Sequence, residues 1–541
     1  MIGFISKFFN SKSAASRDVT DDTEAALHTR ITKLLSLAPS AVAEGQIATE
    51  ALTDALYKAG ATALEFGYSG LAASALSQAQ SLGCQESYLD YNVALAYSRS
   101  GQATQAHESF RKAFVSSLND EKGDGYYLRN LHALESVTLK HLYEQTGLWA
   151  QRYAKGLTPY SYEKPHTQER AKLRAKQSAK LRVGLLSGRF CRHAAGFLTL
   201  AGLEKVNPSK IEFFLYANAS PADDYTERFK MLASQWHDIT ELDDTAAASL
   251  IHSHDLDILI DLAGHSAGSR MGVIMRKPAP VQAKWAGGQH GTTGVVALDY
   301  FITDVIETPE DHDPYFYEKP IRLPNAYACY TPPPDAPKVG PLPAIRNGYL
   351  TFGSFNNIAK MSDSTFSVWA EILNHLQNSR LVLKHSALSE QITRDRIASR
   401  LSAYGISPLR LDLRAPTGHV AHLEAYADID IALDPFPWSG CITTCESLWM
   451  GVPVLTLLGD AFCHRHSASF LTAVGLEDWV VKNQKDYIAK ALTFGQNVSF
   501  LSEMRADLRS RVMQSSLCDA QQFGNDFENI LFSMIDTQDS L

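Results

Sequence analysis

The stretch "LTFGSFNNIAK", residues 350–360, decides the fold. Leu350, Phe352 and Phe355 are apolar and Gly353 is compact, so the run opens as a buried strand. It then changes to two amides, Asn356 and Asn357, and one cation, Lys360. Polar groups beyond the carboxyl end of a buried strand mark where α/β sheets hold ligands. Downstream, "SRLVLKHS" (379–386), "LRLDLRA" (409–415), "DIDIALDP" (428–435) and "VPVLTLLG" (452–459) repeat the pattern of apolar runs between helical segments. Upstream, so do "LRVGLLSG" (181–188), "IEFFLYANA" (211–219) and "LDILIDLAG" (256–264). Such alternation means parallel sheets covered on both faces. A proline-rich segment, 323–348, interrupts it. The expectation is two Rossmann-like units, 181–345 and 346–541, the second ending in a C-terminal helix, with a ligand cleft between them.

Residues 22–160 read differently. They are rich in alanine and leucine, show helical spacing and repeat. Gly60, Ala63, Gly67, Ala72, Leu76 and Ala79 match Ala94, Tyr97, Gly101, Ala106, Phe110 and Ala113, each pair 34 residues apart. That period, with small residues where helices cross, fits a tetratricopeptide-like repeat and its concave peptide groove. A helical bundle that only supports the next unit is the plainer alternative. Residues 161–180 are basic and polar and read as a linker or exposed helix. Residues 1–21 read as a flexible N-terminus, with a weak amphipathic anchor as the alternative.

Length and composition bound the rest. A chain of 541 residues, 45% hydrophobic and 20% charged, is ordinary for a multidomain globular protein. A net charge of -9 supplies no field favouring nucleic acid or an anionic membrane. No apolar run reaches membrane-spanning length, and the N-terminus lacks the order of a signal peptide, so the chain reads as cytoplasmic. Seven dispersed cysteines without a CxxC pair argue for reduced thiols rather than a disulfide framework or a zinc site. Cys441 and Cys445 have the spacing of one helical turn but no matching histidine pair; small buried hydrophobes is the simpler reading.

One further stretch bears chemistry. In "DPFPWSGCITTCESLWMGVP" (434–453), the proline-broken start cannot be helix, whereas "TTCESLWM" can. Thr443 and Thr444 then stand at a helix N-terminus, where free N–H groups and the helix dipole favour a phosphate. Glu446 is placed to accept from a ribose hydroxyl; the alternative is a plain helix cap. Lys360 is the complementary cation for a diphosphate. His193, His265 and His290 follow strands or a glycine-rich loop, but their spacing is not that of a metal set. The pairs Asp255/Asp257 and Asp428/Asp430 resemble a metal-binding Asp-x-Asp, yet each abuts a strand and reads as strand-edge acid.

Together, "RKPAPVQAKWAGGQHGTTG" (276–294), "LDYFITD" (298–304), "TFGSFNNIAK" (351–360), "ITTCESLWMGVPVLT" (442–456) and "HRHSASFLTAVGL" (464–476) resemble the O-GlcNAc transferase/SPINDLY family of protein O-glycosyltransferases. The resemblance implies tetratricopeptide repeats followed by a GT-B pair of Rossmann-like domains, the first on the acceptor side and the second binding a nucleotide sugar. By motif it implies that Lys360 contacts the donor diphosphate, with Asn357 beside it. It places His422 at the base, Thr443 and Thr444 in the phosphate turn, Glu446 at the ribose, Arg465 at a matching donor-site position, and His193 near acceptor and sugar. Ile442, Arg189, Ala425 and the turn "WAGGQHGTTG" depart from the family pattern, around the sugar and base subsites. The implied activity is inverting, metal-independent transfer of a sugar to Ser or Thr of a protein held in the repeat groove and cleft, with no cofactor beyond the donor. UDP-GlcNAc is the expected donor; GDP-fucose, a nonulosonic acid donor and a non-catalytic tetratricopeptide adaptor are the alternatives.

Overall fold

The computed structural model describes parts of 28–36 and residues 49–116, 121–162, 180–218, 222–288 and 290–536. The expected flexible N-terminus (1–21) and nearly all of the expected linker (161–180) lie outside the described residues.

Helices α1 (Thr49–Glu65), α2 (Ser69–Ser81), α3 (Leu89–Arg99) and α4 (Ala103–Val115) form two helix–turn–helix units. Their ends keep the 34-residue offset. Each turn hinges on a glycine in the left-handed region, Gly67 at φ 85° and Gly101 at φ 81°, a conformation other residues rarely adopt. Gly60 lets α1 and α2 meet: a Cβ there would stand 2.5 Å from Leu76 Cγ. A third pair follows, α5 (Glu121–Leu131) and α6 (Leu139–Ala154), the latter capped by Thr138, whose hydroxyl accepts from the His141 N–H at 3.2 Å. Its start points do not keep the 34-residue spacing, so the sequence period does not reveal it.

The first sheet contains β1 (Leu181–Ser187), β2 (Ile211–Ala217), β3 (Ala233–Asp238), β4 (Ile258–Asp261), β5 (Val281–Lys284), β6 (Tyr300–Asp304) and β7 (Lys319–Leu323). Its order is β3-β2-β1-β4-β5-β6-β7, all parallel. The second contains β8 (Thr351–Ser354), β9 (Arg380–Lys384), β10 (Leu411–Arg414), β11 (Ile431–Leu433), β12 (Val454–Leu457) and β13 (Val480–Val481), in the order β10-β9-β8-β11-β12-β13, also parallel. Both are doubly wound, and the strand order reverses between β1 and β4 and between β8 and β11. Those switch points open a crevice at the carboxyl ends of the strands. The architecture is tetratricopeptide-like helix pairs followed by a GT-B pair of Rossmann-like lobes.

The repeats are bound into both lobes. The Glu390 carboxylate accepts from the Gly70 N–H (2.9 and 3.0 Å) and the Leu71 N–H (3.0 Å), capping α2 from the second lobe. Arg396 donates to the Ser100 carbonyl, and Glu135 accepts from Ser364 N–H and hydroxyl at 2.8 and 2.6 Å. On the other side, Tyr127, Leu128 and Trp149 share one core with Leu186 and Phe214 of the first sheet. The last described helix, Ala520–Asp536, leaves the second lobe and packs on the first: Phe527 lies 4.5 Å from the Trp285 ring, and the Tyr300 hydroxyl donates to the Met534 carbonyl at 3.3 Å. Among the described residues, no helix is long and apolar enough to cross a membrane.

Candidate active site

Lys360 closes a single 3-10 turn, Ile358–Lys360, directly after β8. Asn357 caps that turn, its Oδ1 accepting from the Ala359 N–H at 3.0 Å. The turn directs Lys360 Nζ across the crevice to the Ser439 carbonyl at 2.7 Å and over the Trp438 ring at 5.2 Å. Lys360 is partly buried, and that burial lowers its pKa. The cation therefore stands at the mouth of the 434–444 loop, held by one carbonyl and one ring face rather than by a carboxylate.

The opposite wall is the helix Ile442–Trp449, whose first turn has no side-chain cap. Gly440 precedes it for a steric reason: a Cβ there would lie 2.5 Å from Thr444 Oγ1 and 2.7 Å from Asp434 Oδ1. Thr443 Oγ1 donates to Asn356 Oδ1 at 2.9 Å, joining the two walls directly. Thr444 Oγ1 shares a 2.7 Å bond with Ser467 Oγ. Beneath them the buried Asp434 accepts from Gly440 N–H (2.7 Å), Thr456 hydroxyl (2.7 Å) and the Asn356 amide (3.4 Å). Burial raises its pKa.

One turn further along, Glu446 is 5% exposed. Its Oε1 bonds His419 Nε2 at 2.8 Å and its Oε2 lies 3.5 Å from His422 Nε2. Burial acts to raise the Glu446 pKa, but these two imidazoles more than offset it and the net shift is downward. The same bond raises His419. His422 is further fixed by Lys384 Nζ at 3.4 Å from its Nδ1 and by the edges of Phe355 and Tyr426.

From the first lobe, His193 is the N-cap of the helix Ala194–Leu203. Its Nδ1 accepts from the Ala195 N–H at 3.3 Å. A neutral ring with Nδ1 accepting carries its proton on Nε2, so the free nitrogen is a donor. Enclosure by protein, and then Arg189, lower its pKa. The residue is nonetheless exposed. One turn on, Phe197 stacks on His419 at 5.4 Å, which seats this helix against the Glu446 pair.

Of the expected site residues, Lys360, Asn357, His422, Thr443, Thr444 and Glu446 thus gather at the β8/β11 switch point, and His193 caps the first-lobe helix whose Phe197 packs on His419. Arg465 stands apart. Its Nε donates to the Ile306 carbonyl at 2.5 Å and its Nη1 to the Gly459 carbonyl at 2.7 Å, so it ties the lobes together beside the crevice. His265 donates from Nε2 to the Thr293 carbonyl at 2.8 Å within a buried setting. Asp430 accepts from the Thr351 and Ala344 N–H groups at 2.8 and 2.9 Å, and burial pushes its pKa up to about 6. The strand-edge reading of that acid is the one its bonds support. Sequence reading did not single out His419, Asp434 or Lys284. Lys284 is buried at the end of β5, where it donates to the carbonyls of Trp285 (3.0 Å) and Gly287 and holds the glycine-rich loop; burial lowers its pKa to about 8. A charged residue ending an otherwise apolar run was its one signal.

A family model described as glycosyl transferase family 41 matches residues 158–330 and 344–527. A protein from Oryza sativa described as a probable UDP-N-acetylglucosamine–peptide N-acetylglucosaminyltransferase SPINDLY is 37% identical over 400 residues, 73% of this chain and 42% of its own length. The Arabidopsis thaliana protein of that description is 37% identical over 358 residues, 65% of this chain and 39% of its own. The chain therefore spans about four-tenths of the length of these curated relatives. Among solved structures, a mutant O-GlcNAc transferase from Thermobaculum terrenum superposes with a TM-score of 0.81 at 30% identity, covering 96% of this chain and 98% of that one.

Proposed function

The chain belongs to glycosyltransferase family 41, and from that premise we propose that it is an inverting, metal-independent protein O-glycosyltransferase. It moves N-acetylglucosamine from UDP-N-acetylglucosamine to a Ser or Thr hydroxyl of a polypeptide. The observation that carries this reading is the convergence of Lys360 with the Thr443–Thr444 turn, joined by the Asn356–Thr443 bond.

The nucleotide lies at the β8/β11 switch point, its ribose on Glu446 and its base beside His422. The diphosphate spans Lys360 and the free N–H groups at the start of the Ile442–Trp449 helix. The acceptor oxygen bonds to the anomeric carbon from the face opposite the diphosphate as the bond to phosphate oxygen breaks, and the hydroxyl proton passes to a departing phosphate oxygen or to solvent. The electron pair of that bond passes to the diphosphate. Lys360 and the helix N-terminus stabilise this charge more in the transition state than in the ground state, which is what accelerates the step. Cationic and N–H groups face the diphosphate, while the nearby Asp434 is committed to three donors. His193 donates from Nε2 and orients sugar or acceptor; with its proton on that nitrogen it does not serve as the base. The repeat groove and the cleft hold the acceptor chain, and no cofactor beyond the donor is needed.

Thermal unfolding with UDP-N-acetylglucosamine, GDP-fucose and CMP-linked sugars tests the donor, since a ligand of the native state raises the unfolding temperature. A shift with the uridine donor alone, followed by mass gain on a Ser/Thr peptide, is expected. No shift with any nucleotide overturns the reading.

A further inference from the structure

A second cluster lies at the junction of the repeats and both lobes. His132 follows α5, Cys463 and His464 close the turn Phe462–His464, and all three are buried, at 1%, 0% and 4% exposure. One ligating atom from each lies within 4.8 Å of the other two. His464 Nε2 bonds the His132 carbonyl at 2.8 Å, so these segments are held together independently of anything between them. His132 Nδ1 has no hydrogen-bond partner among the described residues, and neither does Nδ1 of His290. His290 comes from the glycine-rich loop of the first lobe, and its ring stacks at 5.7 Å on His132. Trp438 closes the remaining side, 6.2 Å from His132 and 5.8 Å from His290.

Three imidazoles and a thiol from three parts of the fold are gathered in a buried setting, with Arg129 and Lys360 over the Trp438 ring that closes it. Burying unpartnered polar nitrogens is unfavourable, so their convergence calls for a ligand that uses them. Thiolate with imidazole is the donor set that selects zinc over magnesium or calcium. The ligands come from distant segments, which is why no CxxC or HxxxH spacing announces them.

We propose that His132, Cys463 and His464, with His290 or solvent as the fourth ligand, form a zinc site that clips the third helix pair to the catalytic lobes. Binding forms a Zn–S bond and displaces the thiol proton to solvent, so uptake releases one proton. The site is structural and lies beside the proposed diphosphate position, so its presence or absence is independent of the donor assigned above.

The full chain, loaded with Zn²⁺ and dialysed against metal-free buffer, should retain one zinc per chain by elemental analysis and unfold at a higher temperature than the stripped chain. Replacement by Co²⁺ should give a thiolate-to-cobalt charge-transfer band. Cys463→Ala and His132→Ala should each lose the retained zinc, and Cys463→Ala the band, while Cys445→Ala, a buried thiol elsewhere, keeps both. Circular dichroism of the stripped variants establishes that they fold. Should Cys463→Ala fold poorly, the band and zinc content of the unaltered chain still decide the matter. A chain that retains no zinc and shows no band overturns the proposal, as does a band that survives in Cys463→Ala.

Discussion

The two switch-point edges face each other across one crevice but are built on opposite plans. On the second lobe each polar side chain already holds a stand-in: Lys360 a carbonyl, Thr443 an amide, Thr444 a hydroxyl, Glu446 two imidazoles. On the first lobe His193 anchors one nitrogen, Nδ1, and its Nε2 makes no hydrogen bond among the described residues. The difference teaches how each surface meets its ligand. The second exchanges bonds it already has, so geometry is fixed before binding and the net gain per contact is modest. On the function proposed above, the first makes a new bond and is free to follow the acceptor.

If that contrast is right, Lys360→Ala has the largest effect: kcat falls by about 10²- to 10³-fold, as when one donor to developing charge is removed. Near-normal turnover in a folded variant would break the comparison at its strongest point. His193→Ala comes next, lowering kcat/KM by about tenfold, or ~1.4 kcal/mol, while leaving UDP affinity unchanged in calorimetry. Weakened UDP binding would place His193 on the nucleotide side and erase the contrast.

Glu446→Gln should cost about tenfold in UDP affinity and also change the response to pH. The folded pKa of Glu446 is depressed, so its contribution is complete above the ordinary value of 4.5 and is lost as pH falls through the folded value. That of His419 is raised, so its contribution is complete below the ordinary 6.5 and is lost as pH rises through the folded value. The stability difference between wild type and Glu446→Gln is therefore greatest between 4.5 and 6.5. An NMR titration should find His419 shifted down in the variant, and an unmoved His419 would mean the pair is not formed. Smallest, Thr443→Val should raise the UDP dissociation constant by about fivefold, ~1 kcal/mol for one exchanged hydroxyl.

What could be read in advance follows from physical locality. The 34-residue offset is legible because Gly67 and Gly101 must occupy the same left-handed position. The apolar strands β1, β2, β4, β8, β9, β11 and β12 stand out by composition, and β10 by its alternation. Missed were β3, whose Ser-Gln-Trp-His is half exposed at a sheet edge, and β5, where Gln282 and Lys284 are buried because neighbouring carbonyls accept from their N–H groups; β6, β7 and the two-residue β13 were not singled out as strands either. In the site, Lys360 and the Thr443 turn were legible because each follows a strand end. His419 was not, since its value arises from Glu446, 27 residues away in sequence and reached only through the tertiary fold.

The helix Ala520–Asp536 has a mechanical consequence. The backbone passes from the first lobe to the second through the proline-rich segment and returns through this helix, whose Phe523 and Phe527 are seated on Trp285. Two covalent crossings define a pivot line. Swinging about that line bends the chain at two places, whereas sliding or twisting the lobes would tear Phe527 from its seat. The crevice is thus pinned at two crossings of one chain, with the repeats and Arg465 as further braces, so any opening breaks contacts at each of them.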